Sequence, residues 1–382
     1  MNEPIPQNGT GGGWRRAAAR AAVAIVALAN VGALSESALA TEPRGYDEPP
    51  IAGEGGVETF GIDTVIGRVD YHAGRGLHLG DTGFTLGGFV NAEANRFEGG
   101  DSEGGLEGAN LFVFFDPLPF VHGFAELESG GIAEAETGES GVHSHLALSI
   151  ERAYGDFGAS DQLSLRFGKF LTPIGRWNPV PAEPLTWTAS TPLIVENVFD
   201  EATTGALLWG SLFPQGGALS YSLYGAFLDP LSPDPSKPPT KHSAGAYLEW
   251  ASLGGWAAGA SYLASESPDG DWRQLGGVDG LWSPSPRIEL SGEALAGEGS
   301  LETGSVWGLY AQAVVETIDS VYAVGRYEHF DPPGGERSLD LFDLGFAWVP
   351  LPYLRLKADY SFVVHPGEPA TPGLQSSLSL LF

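Results

Sequence analysis

The sequence predicts an all-β chain closed into a transmembrane antiparallel β-barrel of about 16 strands, with a range of 14–18. Three observations carry this. From Gly83 to Phe382, runs of five to twelve residues alternate apolar with small or polar side chains, the period of a strand with two different faces. The connections between runs alternate short and long, as they do when short turns gather at one end of a barrel and long loops at the other. Aromatic residues stand at run ends (Trp256, Trp282, Trp307, Trp348, Tyr353, Phe382), where a membrane–water interface holds them.

Composition narrows the possibilities. The 382 residues carry 19 Lys+Arg against 48 Asp+Glu, a formal charge of −29, which excludes a nucleic-acid binder acting through a basic face. With no Cys, disulfide scaffolds, Cys-ligated zinc, iron–sulfur clusters and thiol catalysis are excluded. Charged residues make up only 18%, beside 10 Trp, 12 Tyr and 20 Phe, so this is not a disordered acidic chain. The 55 Gly favour many short strands and turns over helices.

In chain order, residues 1–40 read as a secretory signal peptide. Arg15, Arg16 and Arg20 form a basic stretch, Ala21 to Leu34 an apolar one, and Ala38-Leu39-Ala40 a small-residue cleavage site. Three Arg and two Glu leave with it, so 16 basic and 46 acidic residues remain. Residues 41–82 read as an N-terminal periplasmic lead or plug. Within them Phe60–His72 and Leu77–Leu79 are a small plug or two further strands. The barrel is placed at 83–382. Beyond residue 40 no apolar run is long enough for a membrane helix, a test to which spanning strands are blind.

Sixteen runs follow: Phe84–Asn95, Leu111–Phe115, Val121–Glu128, Leu146–Tyr154, Leu163–Phe167, Ala206–Leu212, Leu219–Phe227 and Ala244–Trp250, then Trp256–Ala264, Gln274–Trp282, Ile288–Ala296, Val306–Val315, Val321–Phe330, Leu339–Val349, Leu354–Val363 and Leu374–Phe382. The turns Asp116–Pro119, Phe213–Gly217, Ser252–Gly255, Ser283–Pro286, Thr317–Ser320 and Pro350–Tyr353 are rich in Pro, Gly, Asp and Ser, which supply tight-turn geometry. Gly99–Gly108, Ser129–Ser144, Asp229–His242, Asp331–Arg337 and His365–Gly373 read as the long loops, and their acids (Glu98, Asp101, Glu103, Glu107, Glu134, Glu136, Glu139) as a charged outer mouth.

The two faces are chemically distinct. Along Leu354–Val363, Leu354, Leu356, Ala358, Tyr360 and Phe362 share one face while Arg355, Lys357, Asp359 and Ser361 share the other. A lipid-facing Arg or Lys costs about 2–4 kcal/mol at the bilayer midplane, so the charged faces point into the lumen. Lumen-wall candidates on this basis are Arg166, Arg326, Glu328, Asp343, Arg355, Lys357 and Asp359.

Leu171–Thr204, after the fifth run, breaks the pattern with five Pro and no alternation. Backbone off the ladder is tolerated at membrane depth only where it lines a water-filled cavity or is buried in protein. An in-folded loop therefore constricts the lumen, with Arg176, Glu183, Glu196, Asp200 and Glu201 as candidate constriction residues opposite the cations Arg326, Arg355 and Lys357.

The last strand, Leu374-Gln-Ser-Ser-Leu-Ser-Leu-Leu-Phe382, resembles the C-terminal strand of bacterial outer-membrane porins. Leu165-Arg-Phe-Gly-Lys-Phe-Leu-Thr-Pro-Ile-Gly-Arg-Trp-Asn178 resembles a stretch of phosphate-selective-porin-like proteins, in which a strand runs into Pro-x-Gly. The resemblance implies location in the bacterial outer membrane, a long loop narrowing the lumen, recognition of Phe382 by the barrel-assembly machinery, and a homotrimer. The dense inward arginine ladder of phosphate selectivity is not matched by 16 basic residues.

For function this implies a passive diffusion channel for small hydrophilic solutes or ions, with cation preference expected from the acids. No cofactor, catalytic set or metal site is read from the chain. His143-x-His145 offers two ligands, too few for a metal, and no Gly-x-Ser-x-Gly elbow is present. The competing classes are an outer-membrane barrel enzyme of lipase or protease type and a secreted soluble all-β adhesin or lectin.

Overall fold

The structure, a computed structural model, describes residues 59–382 apart from 101, 137–142, 145, 181, 233–239, 268, 299–303, 336 and 365–369. The signal peptide read at 1–40 lies outside the described residues, as do the start of the lead, Asp101, Glu139 and His145.

Three short strands, β1 (Thr59–Thr64), β2 (Gly67–His72) and β3 (Gly76–Leu79), precede the barrel. The barrel itself has sixteen antiparallel strands. The first eight are β4 (Phe84–Phe97), β5 (Ser102–Leu118), β6 (Val121–Glu136), β7 (Ala147–Ser160), β8 (Leu163–Leu171), β9 (Ala202–Leu212), β10 (Gly217–Ala226) and β11 (His242–Ser252). The second eight are β12 (Trp256–Glu266), β13 (Trp272–Ser285), β14 (Ile288–Glu298), β15 (Ser305–Ile318), β16 (Val321–Asp331), β17 (Leu339–Leu351), β18 (Leu354–Val363) and β19 (Gly373–Leu381). Each pairs with its chain neighbour, and β19 pairs with β4 from Gly373↔Phe97 to Leu381↔Phe89, closing the ring. The chain end completes the seam: Phe382 N–H donates to Gly88 O at 2.9 Å, and Gly88 N–H to Phe382 O at 3.0 Å.

Every predicted run falls within one of these strands or overlaps most of it, because lipid outside and polar groups inside fix the parity of each residue. In β15, Val306, Tyr310, Gln312 and Val314 are buried inside while Trp307 and Val315 are exposed outside. In β18, Lys357, Asp359 and Ser361 point inward and Phe362 outward. The outward belt is apolar (Leu223, Leu248, Tyr262, Val278, Leu344, Phe346), as a lipid-facing wall must be. Trp256 and Trp282 sit cross-strand from each other in this outer wall.

Two readings change. Gly99–Gly108 and Ser129–Ser144 were expected as long loops, but β5 begins at Ser102 and β6 runs to Glu136, with Glu103 opposite Glu136. Glu103, Glu107 and Glu134 are therefore strand residues. Residues 59–79 add neither a lumen plug nor barrel strands: β1, β2 and β3 form an antiparallel ribbon held to the edge of β4 through Leu77↔Leu86 and His78↔Thr85.

Apolar burial is concentrated within the ring. Loop residues Leu193, Ile194, Val195, Val198 and Phe199 pack on inward-facing Leu263, Leu275, Leu295, Tyr310, Phe330 and Leu341. A smaller cluster joins Phe89, Phe112 and Phe124 to loop residue Ala182.

Candidate functional site

The site is built by residues 172–201, which leave the ladder between β8 and β9 and cross the interior. The neck of this loop is tied across itself. Thr172 N–H donates to Glu201 O at 2.7 Å, Thr172 Oγ1 to Asp200 O at 2.7 Å, and Asn178 Nδ2 to Thr172 O and Glu201 O at 2.8 and 2.9 Å. Pro173, Pro179, Pro184 and Pro192 remove ladder donors, so this segment could not have continued the sheet.

The loop then meets the far wall. Gly175 has φ +61°, and a Cβ on it would collide with the Glu293 carboxylate on β14. Glycine there allows Glu293 Oε2 to accept the backbone N–H groups of Arg176 and Trp177 at 3.0 and 3.3 Å. Arg176 itself pairs with Glu249 on β11 and, at 3.2 Å, with Asp279 on β13. Trp187 Nε1 donates to Glu289 on β14 at 2.9 Å.

At the tip, the predicted wall residues converge on the backbone of 183–193. Lys357 Nζ lies 3.1 Å from both Glu183 O and Glu183 Oε1, and 3.0 Å from both Thr186 Oγ1 and Thr188 O. Arg326 donates to Thr188 Oγ1 at 2.6 Å and Ser190 O at 3.0 Å, and its charge is met by Glu328 and Asp343, each at 2.7 Å. Asp359 accepts Ala189 N–H at 2.6 Å and Ser190 Oγ–H at 2.7 Å, and Glu328 accepts Leu193 N–H at 2.7 Å. Arg355 donates to Thr186 O at 3.1 Å and lies over the Trp187 ring.

These five wall residues, Arg326, Glu328, Asp343, Lys357 and Asp359, face inward and do not meet water. Arg326 is 2% exposed and Lys357 0%. The expectation that Arg326, Arg355 and Lys357 form a charged ring across open water from the loop acids is corrected for Arg326 and Lys357, whose charges are spent holding the loop. Arg166 stands elsewhere on the wall, doubly bonded to Asp156 at 2.7 Å and stacked on Tyr154.

Beside the loop lies a cavity of about 310 Å³, between the loop and the inner faces of β4–β7. Seven carboxylates line it (Glu93, Glu107, Glu126, Glu128, Glu151, Glu183, Glu201) with one guanidinium, Arg152. Arg152 Nε donates to Glu126 at 2.6 Å, so that pair is internally balanced. Asn91 Nδ2 bridges Glu93 on the wall and Glu183 on the loop. Of the predicted constriction residues, Glu183 and Glu201 reach this cavity. Arg176 is drawn to β11 and β13, Asp200 accepts from Thr240, and Glu196 is exposed at the end of the short helix α1 (Leu193–Glu196).

Sequence reasoning missed the wall side of the cavity. Glu126 and Glu128 were legible, since they alternate with outward Ala125 and Leu127. Glu107 and Glu151 were not. Each sits at a register irregularity, Glu107 between Leu106 and Gly108 and Glu151 beside the step at Glu126/Leu127, where an extra residue breaks strict alternation.

No protein family and no curated protein matches the sequence. Solved structures do. OmpF of Salmonella typhi in complex with daunomycin is 12% identical and matches with a TM-score of 0.57, over 79% of this chain and 98% of that one. An outer membrane protein of Vibrio cholerae, OmpT lacking its loop L8, is 12% identical at 0.54, over 78% and 99%. An anion-selective porin from Comamonas acidovorans is 14% identical at 0.52, over 78% and 99%. The chain has the sixteen-stranded barrel fold of bacterial outer-membrane porins. At these identities the likeness is one of fold: ring, closure and strand number agree, while the charges inside are this chain's own.

Proposed function

We propose that the chain is an outer-membrane porin, a passive diffusion channel for small hydrophilic solutes or ions that prefers cations. The observation that carries the reading is the lining of the cavity between loop and wall, where seven carboxylates meet the one guanidinium of Arg152. Glu126 is paired with Arg152, Glu183 with Lys357 at 3.1 Å and Glu151 with Lys169 at 3.9 Å, and Glu93, Glu107, Glu128 and Glu201 make the acidic excess. Carboxylates held in a narrow space with low-dielectric walls raise the local concentration of cations and repel anions. Glu183 and Glu201 act as the loop side of the constriction, and Glu93, Glu107, Glu128 and Glu151 as its wall side. Arg326, Lys357, Glu328, Asp343 and Asp359 act as the clamp that holds the loop at that depth.

No covalent step is needed: solutes pass down their own gradient. The homotrimer and the recognition of Phe382 by the assembly machinery belong to the same proposal, supported by the fold and by the C-terminal strand. The test is the reversal potential of the purified protein in a planar bilayer under a KCl gradient. Conductance steps with a cation-selective sign support the reading. An anion-selective sign overturns the preference, and absence of steps overturns the channel.

A further inference from the structure

The ribbon β1–β3 is two-faced. Cross-strand partners share a face, so the register Phe60↔Tyr71, Ile62↔Val69, Tyr71↔Leu77 and Val69↔Leu79 gathers six apolar side chains on one side. The other side carries Asp63, Arg68, Asp70 and His78; Arg68 Nε donates to Asp70 at 2.7 Å, and His78 Nδ1 lies 3.1 Å from Thr85 Oγ1. Phe60 is 65% exposed and Ile62 51%, so the apolar face is open at its outer edge.

The attachment to the barrel decides which way that face looks. Leu77 is opposite Leu86 on β4, and Leu86 is opposite Val113 on β5. Phe89 and Phe112, of the opposite parity, pack inside with loop residue Ala182, and Leu111 and the stacked Phe84 and Phe115 mark the outward side. Phe60, Tyr71, Leu77, Leu86 and Val113 thus form one row, in which the ribbon's apolar face continues the lipid-facing wall. The row lies at the short-turn end, below the place where Phe382 ends β19. Val65 and Ile66 at the β1–β2 turn add exposed apolar surface beside it.

We propose that the ribbon is an interfacial membrane-binding element, its apolar face seated in the lipid at the short-turn rim and its polar face turned to water. The occupant is lipid, because the face runs without a break into a wall already facing lipid. Its attraction is apolar, since no cation stands on that face to recognise a headgroup charge. The inference rests on the membrane-barrel reading.

The chain has no Cys, so single cysteines can be labelled without background. Nitroxides are placed by Phe60→Cys, Ile62→Cys, Asp63→Cys and His78→Cys, with Leu344→Cys on the outer wall of β17 as the reference. The full-length protein is reconstituted into vesicles of phosphatidylethanolamine with phosphatidylglycerol. Collision with oxygen is compared with collision with a water-soluble nickel chelate. The logarithm of the oxygen-to-nickel ratio is expected to be positive at 60, 62 and 344 and negative at 63 and 78. A negative value at 60 and 62 with a positive one at 344 overturns the ribbon proposal and leaves the barrel reading standing. Shielding from both reagents, or dipolar broadening at 60 and 62, assigns the face to protein and overturns it too. A negative value at 344 overturns the membrane reading beneath it.

Discussion

Replacing Lys357 with Met tests whether the loop is clamped rather than merely lodged. The ammonium lies 3.0–3.1 Å from acceptors on Glu183, Thr186 and Thr188 and is fully buried, while the Glu183 side chain is 34% exposed at the cavity. Removing one partner of a fully buried pair costs about 3–5 kcal/mol. Water can take over part of Glu183, so the scale of one charge-assisted hydrogen bond, about 1.5–3 kcal/mol, is the better guide. The remaining contacts from Arg326, Asp359 and Glu328 keep the loop inside. The population with a released tip should therefore rise by roughly 10- to 150-fold, at tenfold per about 1.4 kcal/mol. Hydrogen exchange at Ala189 and Leu193, whose N–H groups donate to Asp359 and Glu328, reads that population directly. Single-channel recordings should show added openings of higher conductance and a broader conductance distribution over the same change. Adding Glu183→Gln should recover part of the exchange protection, because the orphaned charge is then gone. Exchange within a factor of about two of the unaltered protein, with an unchanged conductance distribution, would refute the clamp.

Substituting Glu107 and Glu128 by Lys reverses two of the cavity's carboxylates and should move the KCl reversal potential toward the anion-selective sign, with conductance retained; an unmoved potential would place the selectivity elsewhere. Cation preference should shrink between about 0.1 and 1 M salt as the screening length falls from about 10 to 3 Å; a preference independent of salt would argue against long-range charge as its source. Gly175→Ala forces a left-handed backbone at φ +61° on a residue with a Cβ and displaces Glu293. It should cost at least about 1–2 kcal/mol, read as a lower temperature at which the barrel loses its compact gel mobility. An equal temperature would show that the loop accommodates the Cβ.

Strand existence was legible because two solvents act on each strand at once. Lys357, Asp359 and Ser361 alternate with Ala358, Tyr360 and Phe362, and no other register keeps charge out of lipid. Strand ends were less legible for the same reason. Above the lipid, water bathes the outward side, so Glu103–Gly105 can pair with Glu93–Asn95 without alternation, and a Gly-rich acidic sequence reads as loop. The in-folding of 172–201 was announced by its prolines. Its docking partners were not, since nothing in a local pattern says that Asp359 on β18 waits for the amide of Ala189.

The use of the wall cations follows from how a loop can be held inside a barrel at all. A segment off the ladder exposes N–H and C=O groups to an interior only partly wet, and each needs a partner. Side chains on inward strand positions are the available partners: carboxylates for the loop's N–H groups, ammonium and guanidinium groups for its carbonyls. Lys357, Arg326 and Arg355 take the carbonyls of Glu183, Thr186, Thr188 and Ser190, while Asp359, Glu328 and Glu293 take the amides. The loop thus absorbs wall charge of both signs on its far side. On its near side the carboxylates of β4–β7 outnumber the cations, with Arg152 the single guanidinium in the lining. In the proposed channel the cavity is acidic because Arg326, Arg355 and Lys357 are committed to the loop, so releasing the loop should weaken the proposed cation preference as well as widen the channel. Lys357→Met also unpairs Glu183 at the cavity, which by itself raises the cation preference. A reversal potential closer to zero alongside faster exchange at Ala189 shows that release of the loop outweighs this, and a potential further from zero with the same faster exchange separates the clamp from the filter.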